Sequence, residues 1–443
     1  MPRAPCDPLG LAHSQAGPAS AAAAIDDFVL GFLACERRVL APLALAAPER
    51  GVLLQAYGAM LQLFAETNEA PALAAPYLRG ALDPAAPALP RERLFARAIA
   101  AWAEGAIVRA LELLEQLLAE WPRDLVALKL AQQLAFARGD APRMLRLALG
   151  SRAAAADLAY WHGLAAFGYE QCHWLREAEA AARRALALQP REPWAQHALA
   201  HVMLTEGRFA EGREFMRAAS AQWSGLNSFM ETHNWWHLAL FEIELGELDA
   251  ALALYDRQVW GVDKSYSQDQ VGAVSLLARL ELAGADPGPR WAELAGYLAA
   301  RRADHVDPFL SLQYLLGLAR AGRPEARDLL DHLRVWAPGA PADGRACWQQ
   351  VALPAAAGLM AHARGDFEAA IAGLGQVLPR LQEIGGSHAQ RDLFEQLYVD
   401  ALLRSGRDAA AQNLLQPRLN ATPASRRLAR QLQALNHRQG LNR

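Results

Sequence analysis

The sequence predicts an all-α solenoid, a superhelix of about nine or more helix pairs, and three observations lead to that fold class. Turn residues recur every 34 residues. Gly105 is followed at that offset by Gly139, His173 and Gly207. Apolar residues between these turns recur at i, i+3, i+4 and i+7, which is the spacing of an amphipathic helix. No alternating apolar and polar stretch of useful length indicates a β-strand. A 34-residue period with glycine at the inter-helix turn is the pattern of tetratricopeptide repeats.

The turn residue also predicts where each repeat begins. If it occupies repeat position 15, the repeats start at residues 91, 125, 159, 193, 232, 270, 308, 351 and 392. The steps from 193 to 232 and from 308 to 351 are 39 and 43 residues long, and their additional residues fall near 222–231 and 336–346. Both segments are rich in Gly, Pro and Ser and predict surface loops.

The domain organisation follows from this array. We expect a flexible N-terminal arm over residues 1–20 and N-terminal helices over residues 21–90. The tetratricopeptide-like array then covers residues 91–443, with a central segment rich in His and Trp over residues 159–265.

Composition excludes several classes of partner. The 443 residues contain 44 Lys and Arg against 47 Asp and Glu, so no basic excess indicates nucleic acid. No stretch of about 20 apolar residues lacks charge, so no membrane span is expected. The four cysteines lie far apart without a CxxC motif, and the first twenty residues lack the apolar segment of a signal peptide. We therefore expect a cytoplasmic protein with reduced thiols.

Histidine and tryptophan are concentrated in one segment. Six of the twelve His fall between residues 162 and 237, and seven of the twelve Trp fall between residues 161 and 260. His197 with His201, and His233 with His237, are i,i+4 pairs on single helix faces. Such pairs are typical ligands of a divalent transition metal, and they can also act as general bases. Packing and hydrogen bonding inside the solenoid is the plain alternative.

Repeat positions predict which side chains face the concave groove. In tetratricopeptide arrays positions 2, 5, 9, 12 and 13 of a repeat point into the groove, whereas positions 4, 7, 8 and 11 pack into the stack. Trp194 and Trp236 occupy groove positions and are predicted to contact a ligand, while Trp235 is predicted to be core. Glu170 and Asp256 are candidate carboxylate partners for the histidines.

The string GGSHAQRD, residues 385–392, predicts the start of a helix. Ser387 followed by Gln390 forms a capping box, which leaves His388, Arg391 and Asp392 without a structural explanation. A helix N-terminus beside an arginine is a typical anion site. Because a long solenoid curls through more than one turn, we expect these three residues to face the His/Trp-rich segment across an enclosed cavity.

The chain resembles the tetratricopeptide repeat protein 38 family from about residue 7 to about residue 415. The resemblance rests on the strings WAQHALAHVMLTEGRFAEG, HNWWHLALF and GGSHAQRD. It implies a soluble, intracellular, all-helical protein. A family-like HxxPFxxxH string departs from its pattern at the last position, which is Gln313. A role that needs a second imidazole there is not expected.

Together these patterns predict a repeat protein that binds a small molecule in a His/Trp-rich pocket. Metal-assisted or histidine general acid/base catalysis is one use of such a pocket. A non-catalytic scaffold that binds a peptide in the groove is the alternative. No GxSxG, P-loop, GxGxxG or HExxH motif is present, so a conventional hydrolase, kinase or dehydrogenase is not expected.

Overall fold

The computed structural model describes residues 5–15 and 18–441, and these residues form an all-helical protein. Within this part of the chain no strand forms, and the β-type pairing consists of isolated bridges between Cys6 and Ala12 and between Glu36 and Leu226. The chain divides into two compact units, and the division falls between Leu199 and Ala200, inside one helix. Residues 224–227 belong to the first unit.

The first unit contains helices that pack in adjacent pairs, such as α3 with α4, α5 with α6, and α10 with α11. These helices are α1 (Ala19–Leu33), α2 (Ala41–Ala44), α3 (Val52–Leu63), α4 (Ala70–Ala81), α5 (Pro90–Ala103), α6 (Ile107–Glu120), α7 (Leu125–Phe136), α8 (Ala141–Gly150), α9 (Arg152–Ala155), α10 (Ala159–Gln171), α11 (Leu175–Leu188) and the first half of α12 (Pro193–Thr205).

The second unit continues the pairing, as in α14 with α15 and α21 with α22. After the second half of α12 its helices are α13 (Phe209–Ala219), α14 (Ser228–Glu244), α15 (Leu248–Leu254), α16 (Ser267–Leu282), α17 (Arg290–Leu298), α18 (Pro308–Arg320), α19 (Glu325–Trp336), α20 (Ala342–Cys347), α21 (Leu353–Ala363), α22 (Phe367–Gly375), α23 (His388–Arg404), α24 (Asp408–Ala421) and α25 (Arg426–Arg438).

The predicted turn positions all adopt the left-handed backbone conformation. The φ angles lie between 66° and 100° at the eight glycines, which are Gly105, Gly139, Gly207, Gly246, Gly284, Gly322, Gly365 and Gly406. The ninth turn residue, His173, has a φ of 59°. The first helices of the pairs, α5, α7, α10, α12, α14, α16, α18, α21 and α23, begin within four residues of the predicted repeat starts. The predicted helix pairs and the positions of their turns are therefore confirmed.

Replacing His173 with glycine should stabilise the first unit by about 0.5–1 kcal/mol. A side chain in the left-handed region costs about 1–2 kcal/mol, and the larger freedom of an unfolded glycine offsets part of that gain. The free energy of unfolding in urea measures the effect. His173→Ala keeps the Cβ atom and is the control, which should not be stabilised. A lower stability for His173→Gly than for wild type would contradict the strain argument.

The second predicted loop is helical instead. Residues 342–347 form α20, which continues through a π-helical turn over Trp348–Ala352 into α21. The added residues therefore lengthen the first helix of a pair.

The N-terminal arm was predicted to be flexible, but residues 5–15 are packed against α5. Arg91 Nη2 donates a hydrogen bond to Ala12 O at 3.1 Å, and Glu92 Oε1 accepts one from Ser14 N at 2.8 Å. Arg91 and Glu92 are both buried. The arm thus supplies some of the hydrogen-bond partners of these buried groups, beside Asp124, which pairs with Arg91 at 2.6 Å. Residues 1–4 and 16–17 of the arm lie outside the described residues.

In the second unit, the C-terminal helices α23 and α25 pack against the first helices of earlier pairs. Helices α14, α16, α18, α21 and α23 pack side by side in that order. Helix α23 also packs against α16, and α25 packs against α14, so the row curls back onto its beginning. Groove positions of α14 are consequently buried in this unit.

No helix within residues 5–15 and 18–441 is long and apolar enough to cross a lipid bilayer.

Candidate histidine site

In the first unit, α12 contributes Trp194 and His197 to an aromatic cluster. The two rings lie 4.9 Å apart, and each contacts Phe167 of α10, at 4.9 Å from Trp194 and 5.2 Å from His197. Lys129 Nζ lies 5.3 Å from the Trp194 ring. Trp194 is only 5% exposed, so its indole packs inside this cluster, and its contact with a ligand stays a prediction.

Two buried carboxyl groups also belong to the first unit. Glu170 is fully buried and accepts a hydrogen bond from Gln171 Nε2 at 2.6 Å. Glu192, which the sequence analysis missed, accepts hydrogen bonds from the N–H groups of Ala195 and Trp194 at the start of α12. Burial raises the pKa of Glu192 to about 7 despite these bonds. Its position before a helix, as a capping residue, is the signal that could have identified it.

In the second unit, three histidines meet between α12 and α14. We call His201, His233 and His237 the histidine cluster. Each offers a ring nitrogen, and these nitrogens lie within 4.8 Å of one another. The ring of His237 lies 4.5 Å from that of His201 and 4.8 Å from that of His233. The i,i+4 spacing places His233 and His237 on one face of α14, as predicted.

The surroundings of His233 hold its ring in place and keep it neutral. Phe229 stacks on it at 5.3 Å and Trp236 at 5.2 Å, with interplanar angles of 25° and 8°. Burial, with a smaller contribution from His201, lowers the pKa of His233 to about 3. The imidazole is therefore neutral at pH 7, which is the form that binds a metal ion.

The start of α23 reaches the histidine cluster, as the sequence analysis predicted for His388. The His388 ring lies 5.5 Å from that of His201 and nearly perpendicular to it. Thr205 Oγ1 and His388 Nε2 form a hydrogen bond of 3.2 Å. Both residues are partly exposed, whereas His201 is fully buried. Thr205 and His388 therefore lie between the histidine cluster and solvent.

Arg279 of α16 ties α23 to this region and was not singled out from the sequence. Its guanidinium lies 5.4 Å from the Trp236 ring and donates a 2.6 Å hydrogen bond to Ala389 O. It also donates to Ser275 Oγ at 2.5 Å. Burial lowers the pKa of Arg279 to about 10, so the group stays charged at neutral pH. Nothing in local sequence distinguishes this arginine from surface ones, because its partners come from distant α23.

The other residues predicted around His388 have structural partners. The capping box of Ser387 and Gln390 is present. Arg391 donates to the carbonyl oxygens of Gly385 and Gly386. Asp392 forms an ion pair with Arg418.

The electrostatics of Asp392 confirm its role in ion pairing. Burial would raise its pKa, but Arg418, Arg279 and Arg427 outweigh burial and hold it well below the usual range. Arg391 and Asp392 thus support α23, and their contacts do not match the predicted anion site.

Two predictions about α14 and its neighbours are wrong. Asp256 was expected to pair with a histidine, but it forms two hydrogen bonds of 2.7 Å with Arg290, at the surface. Trp235 was expected to be core and Trp236 to point to the groove. Trp236 is 1% exposed, while Trp235 is partly buried and contacts Trp223 edge-on at 4.7 Å. The return of α23 and α25 buries the face that a simple solenoid would leave open.

No model of a known protein family matches the chain.

Proposed function

We propose that the second unit binds one divalent transition-metal ion through His201, His233 and His237, and that a small molecule binds beside this ion. The observation that carries the proposal is the convergence of three buried imidazole nitrogens within 4.8 Å of one another. Imidazole is a typical ligand of Zn²⁺, Cu²⁺, Fe²⁺ and Ni²⁺. In a tetrahedral zinc site the nitrogens are about 3.3 Å apart, so the rings need to shift by about 1 Å.

An ion held by these three protein ligands alone has an open coordination position. Sites of this kind are typical of catalytic zinc, whereas structural zinc usually has four protein ligands. A water molecule bound there can act as a nucleophile at neutral pH. His388, next to His201 and hydrogen-bonded to Thr205, is placed to exchange protons with a group at that position. We therefore favour metal-assisted or histidine acid/base chemistry.

One buried donor supports a small-molecule ligand beside the ion. Among the described residues, Trp236 Nε1 has no hydrogen-bond partner although the side chain is only 1% exposed. A buried N–H without an acceptor costs about 1–3 kcal/mol. Trp236 adjoins both His233 and His237, at 5.2 Å and 4.9 Å between ring centres. An oxygen atom of a ligand bound there would satisfy this donor.

The alternative of a peptide scaffold has less support in the second unit. Its inner side is covered by α23 and α25, which pack on α16 and α14. A peptide would have to displace these helices before it could bind in that groove.

We also propose a more specific type for the helix pairs. We assign the helix pairs to the tetratricopeptide type and relate the chain to the tetratricopeptide repeat protein 38 family. The 34-residue spacing of the left-handed turns at Gly105, Gly139, His173 and Gly207 supports this assignment. The four cysteines, all within the described residues, form no disulfide, which supports a reducing, cytoplasmic environment.

Metal analysis of the protein purified without a histidine tag tests the proposal. We expect close to one equivalent of a transition metal, or uptake of one equivalent of Co²⁺ with the visible absorption of a tetrahedral site. The affinity should weaken as the pH falls, because protons compete for the ligand nitrogens, and at His233 the lowered pKa moves that competition to acid pH. Protein that contains no metal and takes up no Co²⁺ at micromolar concentration would exclude the site.

A further inference from the structure

The histidine cluster is closed to solvent, so an ion or ligand needs a route to it. His201 and His237 are 0% exposed and His233 is 9% exposed. A cavity of about 390 Å³ near Arg323, Met360 and Arg364 lies at the ends of α18 and α21, away from the cluster residues. A movement of the surrounding helices would therefore ease the filling of the proposed site.

Helices α24 and α25 are attached to the rest of the unit differently from the other helices. Their apolar residues form a small core of their own with the second half of α23, separate from the main core of the unit. That small core consists of Val399, Leu402, Ala411, Leu415, Leu428, Leu432 and Leu435. Within the described chain, no residue of α14 belongs to it.

Polar groups join α25 to the end of α14. Glu244, the last residue of α14, accepts a hydrogen bond from Ser425 Oγ and one of 2.7 Å from Arg427 Nε. The side chains of Glu244 and Arg427 are 13% and 9% exposed, so water screens the pair only in part. Ser425 also caps α25 by accepting from Leu428 N at 3.0 Å. The carboxylate of Glu244 thus lies at a helix N-terminus, which favours negative charge.

This attachment lies beside the approach to the histidine cluster. Thr422, between α24 and α25, packs against Gly207. Gly207 follows Thr205 by two residues. Thr205 is hydrogen-bonded to His388, and the ring of His388 lies next to that of His201. Glu244 lies seven residues after His237 on the same helix, about 10 Å along its axis.

We propose that α24 and α25 form a cover over the approach at Thr205 and His388, and that Glu244 acts as the latch that keeps it closed. This deepens the proposed function, on which it rests, by naming the access route to the site. Opening separates Glu244 from Ser425 and Arg427 and parts Arg426 from Glu247, so α24 and α25 are then held by their small apolar core alone and exchange faster. The main apolar core of the unit is not broken in that movement.

Carbethoxylation of histidines by diethyl pyrocarbonate, followed by peptide mass spectrometry, tests the cover without any metal. In full-length Glu244→Gln and Arg427→Gln, the labelling rates of His201 and His237 should rise tenfold or more over wild type. Glu281→Gln is the control, because Glu281 forms a carboxylate–guanidinium pair of the same kind, somewhat more exposed, with Arg320 elsewhere in this unit. Its labelling rates should equal those of wild type.

Hydrogen exchange on the same variants separates opening of the cover from unfolding. Exchange should rise over residues 408–438 and stay unchanged in α18. Faster exchange over 408–438 with unchanged labelling would mean that these helices cover nothing, and would overturn the proposal. Unchanged labelling and exchange, or equally raised exchange in α18, would also overturn it. If only the proposed function is wrong, metal analysis finds no bound ion, while the labelling and exchange rates still rise as expected for the cover.

Discussion

His237→Ala should lower the affinity for the proposed metal ion by more than about a hundredfold. Removal of a group that merely orients a ligand typically costs 10–100-fold in affinity, and loss of a ligand costs more. His237 is fully buried between the rings of His201 and His233, so no nearby solvent-exposed group replaces it readily. Titration with Co²⁺ gives the dissociation constant, and circular dichroism reports whether the helices remain.

His362→Ala is the matched control for that experiment. His362 is also a buried histidine of the second unit, but it is hydrogen-bonded to Asp400 at 2.9 Å and does not belong to the cluster. It should keep one equivalent of metal with wild-type affinity. Equal affinities for His237→Ala and wild type would show that the ion binds elsewhere.

Trp236→Ala should destabilise the second unit by about 3–5 kcal/mol, the usual cost of removing a large buried aromatic side chain. The indole is 1% exposed, stacks on His233, and packs beneath the guanidinium of Arg279. Its removal leaves a cavity and frees the ring of His233. Urea unfolding, followed by circular dichroism, gives the change in free energy.

The neighbouring Trp235→Ala provides the comparison for that measurement. Trp235 is only partly buried, and its truncation should cost less than that of Trp236. The opposite order would support the register expected for an open solenoid, in which Trp235 is core and Trp236 faces the groove. In that register Trp236 would not be the buried ring that stacks on His233 and holds it in place.

Local sequence was sufficient to predict the helix pairs and their turns. The left-handed conformation at Gly207 and at the other turn glycines depends on a residue type that adopts it at little cost. The i,i+4 pairing of His233 with His237 follows from helix geometry alone. The capping box of Ser387 and Gln390 was predictable for the same reason, because all its atoms lie within four residues.

Tertiary structure decided which of these side chains are buried and which of them meet. The partners of Asp256 and Asp392 are Arg290 and Arg418, and these pairs depend on how successive helices pack. The burial of Trp236 depends on Arg279 and α23, which are separated from it by long stretches of chain.

The sequence by itself determined the helical repeat, the left-handed turns, and the concentration of histidine in one segment, because each depends on residues close in the chain. Only the tertiary structure decided that His388 approaches His201, that the groove face of α14 is buried, and that Glu244 holds α25. The physical reason is the accumulated curvature of the second unit. A small rotation at each helix pair brings α23 and α25 back onto α16 and α14, and no local pattern encodes that sum.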